Sequence, residues 1–434
     1  MLHFNDNNEV VINEEYRAIL VGLQIKEDIT NSMEELNGLA EAAKVVVLGQ
    51  MVQNLEKKNS ATYIGKGKVI ELEEMCQAMD ADTVIFNDEL SGIQLRNLED
   101  LLNVKVIDRT ILILDIFADR AISREGKLQV ELAQLQYRLP RLIGFGKSLS
   151  RQGGIGNRGP GEKKLETDRR HVAKRMDDIK VEINQLRGTR NTQRSKRDKS
   201  GIPVVALVGY TNSGKSSLMN KLLEMTAKEA KTVLEKDMLF ATLDTSQRNI
   251  KLDTNHEFIL IDTVGFVSKL PHSLIKAFKA TLEEVLYADL LLQVVDASCE
   301  AYDFHVEVTN KVLEEIGAGG KEKMLIYNKT DLLEGNFVPT YIGEISMSES
   351  INISVKKSKN IEELIEKIKM KIFPDRVIGK LLIPYDRGDI SSYLCEKGRI
   401  IKMEYLDSGT LFHIELEFAD YNRLKEYDTI QNSR

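Results

Sequence analysis

Apolar positions along the chain follow two different rhythms. Through residues 1–108, short apolar runs at 43–48, 83–86 and 104–107 alternate with helical stretches. That alternation predicts a small α/β domain built on a parallel sheet. A second rhythm follows it. Leu128, Leu132, Leu135, Leu139 and Leu142 recur at spacings of four and three, and Val172, Met176, Ile179, Ile183 and Leu186 repeat it. Two such seams predict a pair of long helices packed antiparallel over residues 109–190. Between them, residues 144–161 hold seven glycines, Pro160 and no acidic residue, which reads as a tip loop. Thirty helical residues would carry that loop about 45 Å outward.

Past the second seam, residues 191–200 are polar and basic and read as a linker. Residues 201–370 return to buried-strand runs at 204–208, 258–261 and 324–327, each ending in polar residues. Residues 375–434 offer strands at 381–384, 400–405 and 410–416, a second small α/β domain. The predicted fold class is α/β throughout, with the helical hairpin inserted between its first and second sheets.

The polar residues at the strand ends carry the chemistry. Gly209, Tyr210, Thr211, Asn212, Ser213, Gly214, Lys215 and Ser216 fit the phosphate-loop pattern G-x-x-x-x-G-K-[ST] between a strand and a helix that takes in Ser217. Backbone N–H groups of such a loop cradle phosphate oxygens. Lys215 would reach the β- and γ-phosphates, and the Ser216 hydroxyl would hold Mg²⁺. Asp262-Thr-Val-Gly265 ends the next apolar run, which places Asp262 toward the Mg²⁺ and the Gly265 N–H toward the γ-phosphate. Thr242 is the candidate for a threonine that grips Mg²⁺ and γ-phosphate in the triphosphate state only.

Asn328-Lys329-Thr-Asp331 identifies the base. Guanine offers N1–H and a 2-amino group that one carboxylate accepts together, and Asp331 supplies it. Adenine would leave that carboxylate unpaired, a larger penalty than a missing contact. Asn328 would tie this loop to the phosphate loop, and Ser354-Val355-Lys356 stands where a backbone N–H meets the guanine O6. The expected reaction is hydrolysis of GTP to GDP and phosphate. Phe266 follows Gly265 where many GTPases have a water-orienting glutamine, so activation by a partner is expected.

Charge changes the picture once more. Over 434 residues the net charge is −7, yet from Arg120 to Lys199 there are 21 Lys and Arg against nine acids. A basic arm on an acidic protein points to a polyanionic partner. Lys147, Arg151, Arg158, Lys163 and Lys164 lie at or beside its glycine-rich tip and are the candidate RNA contacts. Gly154-Ile-Gly156-Asn-Arg-Gly159 also fits G-x-G-x-x-G, but it follows a helix where a dinucleotide site needs a strand. Three scattered cysteines and six histidines form no metal or disulfide pattern. Apolar runs such as Leu290-Leu-Leu are far short of a membrane span, and Met1–Glu9 lacks the basic and apolar regions expected of a signal peptide. A cytoplasmic monomer without membrane insertion is expected.

These residues resemble the HflX GTPases, a branch of the Obg-related translational GTPases. The likeness runs through Tyr63-IGKGK, Asp108-RTILILDIFADRA, Gly153-GIGNRGPGEKKLETDRR, the phosphate loop and Asp262-TVGFVSKLPHSLIKAFKATLEE. It implies binding to the large ribosomal subunit with the tip near the peptidyl-transferase centre. It also implies splitting or rescue of stalled ribosomes under stress. Asn157 and the pair Lys163, Lys164 replace the family's usual Thr and Thr/Ser-Gln, and Val355 replaces its usual Ala. Two rival readings remain: a switch whose arm binds an acidic protein or membrane surface, and an RNA-remodelling ATPase.

Overall fold

The computed structural model describes residues 16–149, 160–198, 202–226, 246–252, 256–269, 282–333, 335, 350–373 and 376–429. Three sheets organise them. The first contains β1 (Arg17–Gln24), β2 (Val46–Asn54), β3 (Thr83–Phe86) and β4 (Lys105–Asp108), parallel throughout in the order β2-β1-β3-β4. Helices α1 (Thr30–Ala42), α2 (Lys66–Met79) and α3 (Gly92–Leu102) provide the crossovers that parallel strands require.

Helix α4 (Arg109–Arg120) corrects the expected boundary at residue 108. Leu112, Ile113, Ile116 and Phe117 bury into the core formed by β1 and α1, so α4 completes the first domain instead of opening the hairpin. Asp108 starts it by accepting the Ile111 N–H at 3.0 Å, an N-cap that ends β4 and begins α4 in one residue.

The hairpin consists of α5 (Arg124–Leu149) and α6 (Pro160–Asp198). Leu128, Leu132, Ile179 and Ile183 form its buried seam, with Leu135, Met176 and Leu186 at the margins. Arg175 adds a two-pronged bond to Glu131 at 2.7 and 2.8 Å. Both helices are longer than the sequence predicts. α5 continues through Gly144 and Gly146, and α6 begins at Pro160, a residue suited to the first helical turn. The expected linker at 191–200 is helical to Asp198, because its Arg, Lys and Gln are good helix formers.

The central sheet has the order β10-β9-β8-β5-β7-β6. Its strands are β5 (Val204–Val208), β6 (Ser246–Lys251), β7 (Glu257–Asp262), β8 (Leu290–Asp296), β9 (Lys323–Asn328) and β10 (Ser350–Asn352). Only β6 runs antiparallel, against β7. Helices α7 (Lys215–Thr226), α8 (Tyr302–Ile316) and α9 (Ile361–Ile372) accompany it. Strands buried on both faces read as nearly continuous apolar runs, which is why β5, β7 and β9 were visible in the sequence.

Last comes an antiparallel sheet, β11 (Arg376–Ile383), β13 (Gly409–Glu417) and β12 (Arg399–Leu406) in spatial order. Helices α10 (Gly388–Lys397) and α11 (Phe418–Arg423) accompany its core of Leu381, Ile383, Leu394, Phe412, Ile414 and Leu416. No helix among the described residues is long and apolar enough to cross a membrane.

Candidate nucleotide-binding site

The phosphate loop links β5 to α7 and bends through two positive-φ glycines. Gly209 (φ +140°) lies so close to β8 that a Cβ there would meet the Val294 carbonyl oxygen at 2.2 Å. At Gly214 (φ +94°) a Cβ would strike Asn328 Nδ2 at 2.3 Å. Only glycine fits either place. Asn212 takes a third positive φ at the exposed crest, while Thr211 and Ser213 are buried and Ser217 sits half-buried in the first turn of α7.

Lys215 is buried, and its ammonium donates to the Gly209 and Tyr210 carbonyls at 3.1 and 2.7 Å. Burial pushes its pKa down to about 8, with Asp262 opposing the shift. Ser216 donates its hydroxyl to Asp262 Oδ2 at 2.6 Å, and Asp262 is fully buried. These are two hard oxygen donors converging at the start of α7, a pairing suited to a Mg²⁺ that keeps its remaining positions for water and phosphate. Such an ion would neutralise phosphate charge, and Ser216 and Asp262 are the described residues that would hold it. Thr242 lies outside the described residues.

The base side is equally ordered. Asn328 donates Nδ2–H to the Ser213 carbonyl at 3.0 Å and accepts the Val355 N–H on Oδ1 at 3.2 Å. One side chain therefore joins phosphate loop, base loop and last loop; the sequence predicts the first tie but not the one to Val355. Ser354 donates to Asp331 Oδ1 at 2.6 Å, which holds the Asp331 carboxyl below its ordinary range. Lys329 adopts a left-handed backbone and reaches Asp296 Oδ2 at 2.7 Å. Lys356 is exposed beside Val355. Sequence reading missed Asp296, which follows no motif, and the hydroxyl of Ser354, whose position was valued for its backbone alone.

The segment after Asp262 is wedged between two domains. Tyr210 and Phe266 form a parallel bridge, with Thr211 N–H to the Phe266 carbonyl at 2.7 Å and Phe266 N–H to the Gly209 carbonyl at 3.1 Å. A Cβ on Gly265 would sit 2.7 Å from Thr211 Cα and 3.1 Å from Lys215 Nζ. Phe266 turns into the central-sheet core with Leu282 and Val285. Val264 and Val267 instead join the core of the first domain. Ser268 donates its N–H to the Tyr210 hydroxyl at 2.7 Å and to Glu35 at 3.2 Å, while its own hydroxyl also meets Glu35. Arg109, buried at the start of α4, pairs with Glu35 and donates to the Ser268 carbonyl and hydroxyl at 3.2 and 3.1 Å. Lys269 reaches Asp88 Oδ1 at 2.9 Å, and His305 stacks on Tyr210 at 3.8 Å. The first domain thus grips the phosphate-sensing segment directly. Arg109 and Ser268 fall inside two segments that carry the family likeness, but nothing in the sequence announces that they meet Glu35, and no motif marks Glu35 or Asp88.

On the arm, Lys147, Lys163 and Lys164 fall within α5 and α6, but their side chains lie outside the described residues, as do Arg151 and Arg158 entirely.

A phosphate loop, an aspartate-ended strand and a carboxylate-bearing base loop at the strand ends of one sheet define a GTP-binding GTPase. Comparison places it more narrowly. Residues 30–118 match the GTP-binding GTPase N-terminal family, residues 120–197 the GTP-binding GTPase middle region, and residues 204–329 the 50S ribosome-binding GTPase family. A GTPase HflX from Caldanaerobacter subterraneus is 45% identical over 98% of this chain and 97% of its own. The GTPase HflX of Escherichia coli is 38% identical over 94% and 95%. A GDP-bound GTP-binding protein from Sulfolobus solfataricus shares 25% identity, covering 82% of this chain and 98% of that one, at a TM-score of 0.43. The chain belongs to the HflX family of GTPases.

Proposed function

We propose that this GTPase binds the large ribosomal subunit through its basic hairpin and first domain, and splits or rescues stalled ribosomes in the cytoplasm. The carrying observation is the arm: two long helices with one apolar seam, bearing a strong excess of Lys and Arg and converging on a glycine-rich tip. Such an arm suits a phosphate-lined partner. The matched domain's description as a 50S ribosome-binding GTPase supports the same reading. Mg²⁺ is the proposed cofactor, held by Ser216, Asp262 and Thr242. GTP governs the productive conformation through the segment clasped by Glu35 and Arg109. Lys147, Arg151, Arg158, Lys163 and Lys164 are the proposed RNA contacts.

Co-sedimentation with purified large subunits across a salt series tests this. Replacing Arg151 and Arg158 with Ala is expected to weaken binding and flatten its salt dependence by a slope of roughly two. An unchanged slope would remove these residues from the RNA interface.

A further inference from the structure

The C-terminal sheet has two edges that are finished differently. Along β11 the end of the chain closes the edge: Asp428 bridges Leu381, and Thr429 donates its N–H to the Lys380 carbonyl at 3.0 Å. β12 is the other edge, with no strand beyond it among the described residues. There Ile400, Ile401, Met403, Tyr405 and Leu406 are between 36% and 70% exposed. A long apolar edge presents N–H and C=O groups ready to pair with another strand. The Tyr385 hydroxyl takes the Leu406 carbonyl at 2.8 Å and bounds the open stretch.

The charges along this edge select its occupant. Arg399-Ile400-Ile401-Lys402-Met403-Glu404-Tyr405-Leu406-Asp407 inverts its sign about Met403. We propose that β12 pairs antiparallel with β12 of a second copy of this chain, Met403 facing Met403 on the two-fold axis, to join two three-stranded sheets into one of six. In that register residue 402 of each copy faces residue 404 of the other, because opposed strands count in opposite directions. Lys402 then meets a Glu404 carboxylate on both sides of the axis. Centring the pair on Lys402 or on Glu404 instead would set like charges face to face, which disfavours both neighbouring symmetric registers.

The faces also agree. Met403 pairs with Phe412 on the side that carries the core, whereas Lys402 and Glu404 pair with His413 and Leu411 on the opposite side. A two-fold axis perpendicular to the sheet keeps both sides matched. The register irregularity between Ile400 and Lys402 sets Ile400 and Ile401 together against Tyr405 of the second copy. A single strand pair buries less than the roughly 1,200 Å² of a standard interface, so the dimer is weak and forms only at high concentration.

Sedimentation equilibrium of the full chain, from about 1 to about 200 µM to span weak association, tests the pairing. A monomer–dimer equilibrium is expected, with Glu404→Lys weakening it at least about tenfold. The double exchange Lys402→Glu with Glu404→Lys should restore it. Monomer at every concentration would overturn the proposal, as would a dimer indifferent to Glu404→Lys or one the double exchange fails to rescue. Register has its own check. Opposed Cα atoms lie about 4.5–5.5 Å apart, within disulfide reach, so Met403→Cys in a Cys395→Ser background should cross-link on oxidation. A dimer that forms but does not cross-link would contradict the Met403-centred register.

Discussion

The Ser268 backbone N–H meets the Tyr210 hydroxyl at 2.7 Å, so the segment after Asp262 is bonded to the first variable residue of the phosphate loop. Both residues lean on Glu35, which comes from the other domain and is itself paired with Arg109. Asp108, next in the chain to Arg109, takes the hydroxyl of Tyr137 on α5 and the Leu90 N–H at 2.9 Å. Two adjacent residues therefore hold the nucleotide sensor and the arm.

Removing Glu35 leaves Arg109, which is 2% exposed, buried with no other carboxylate paired to it among the described residues. Glu35→Ala should cost about 3 kcal/mol of stability, because the lost pair leaves an uncompensated charge. Urea unfolding followed by circular dichroism measures it. A loss under about 0.5 kcal/mol would mean that the clasp is open in solution.

Lys215 gives a pH dependence. Its pKa in the nucleotide-free protein is depressed from the ordinary 10.5 to about 8, so folding stability contributed by this group rises as pH climbs between those values. Nucleotide binding runs the other way, since phosphate oxygens favour the ammonium. GTP affinity should be flat below pH 8 and fall above it, with about one proton taken up per nucleotide bound. Calorimetry in buffers of different ionisation enthalpy reads that proton, and zero uptake at pH 9 would contradict it. Lys215→Ala should abolish binding.

Ser354 orients Asp331, the residue expected to read the base. Asp331→Asn should shift preference from guanine toward xanthine nucleotides. Ser354→Ala should lower GTP affinity about fivefold to tenfold, the worth of one ordinary hydrogen bond, without changing which base is chosen. Competition binding with GTP and XTP separates the two outcomes. Equal losses for both bases in Asp331→Asn would remove Asp331 from the base pocket.

Asn328 joins three loops through Ser213 and Val355. Asn328→Ala strands a buried carbonyl and should destabilise the nucleotide-free domain by about 1–3 kcal/mol. Thermal unfolding without nucleotide measures this, and an unchanged midpoint would show the tie to be dispensable.

How far the sequence carried these conclusions depends on distance along the chain. Lys215, Ser216, Asp262, Asn328 and Asp331 are legible because each belongs to a short motif fixed to a strand end. The seam of Leu128, Leu132, Ile179 and Ile183 is legible because helical periodicity is local. The clasp of Glu35, Arg109 and Ser268 was invisible: they meet across 74 and 159 residues of chain, and no pattern of residue types forecasts such a meeting. Phe266 was legible as an absent glutamine but not as a core residue beside Leu282. β1 also escaped notice, although its apolar run is of the same kind as those at 83–86 and 104–107.

The central claim is that the large ribosomal subunit is the partner this GTPase answers to. Its most direct test is the rate of GTP hydrolysis with and without purified large subunits at fixed moderate salt. Phe266 cannot orient water, so stimulation of roughly 10³-fold or more lies within the range that supplied groups provide. Strong stimulation that vanishes when the hairpin tip is removed is the predicted result. Unstimulated hydrolysis with GTP still bound would contradict the ribosomal reading and leave only the GTPase standing.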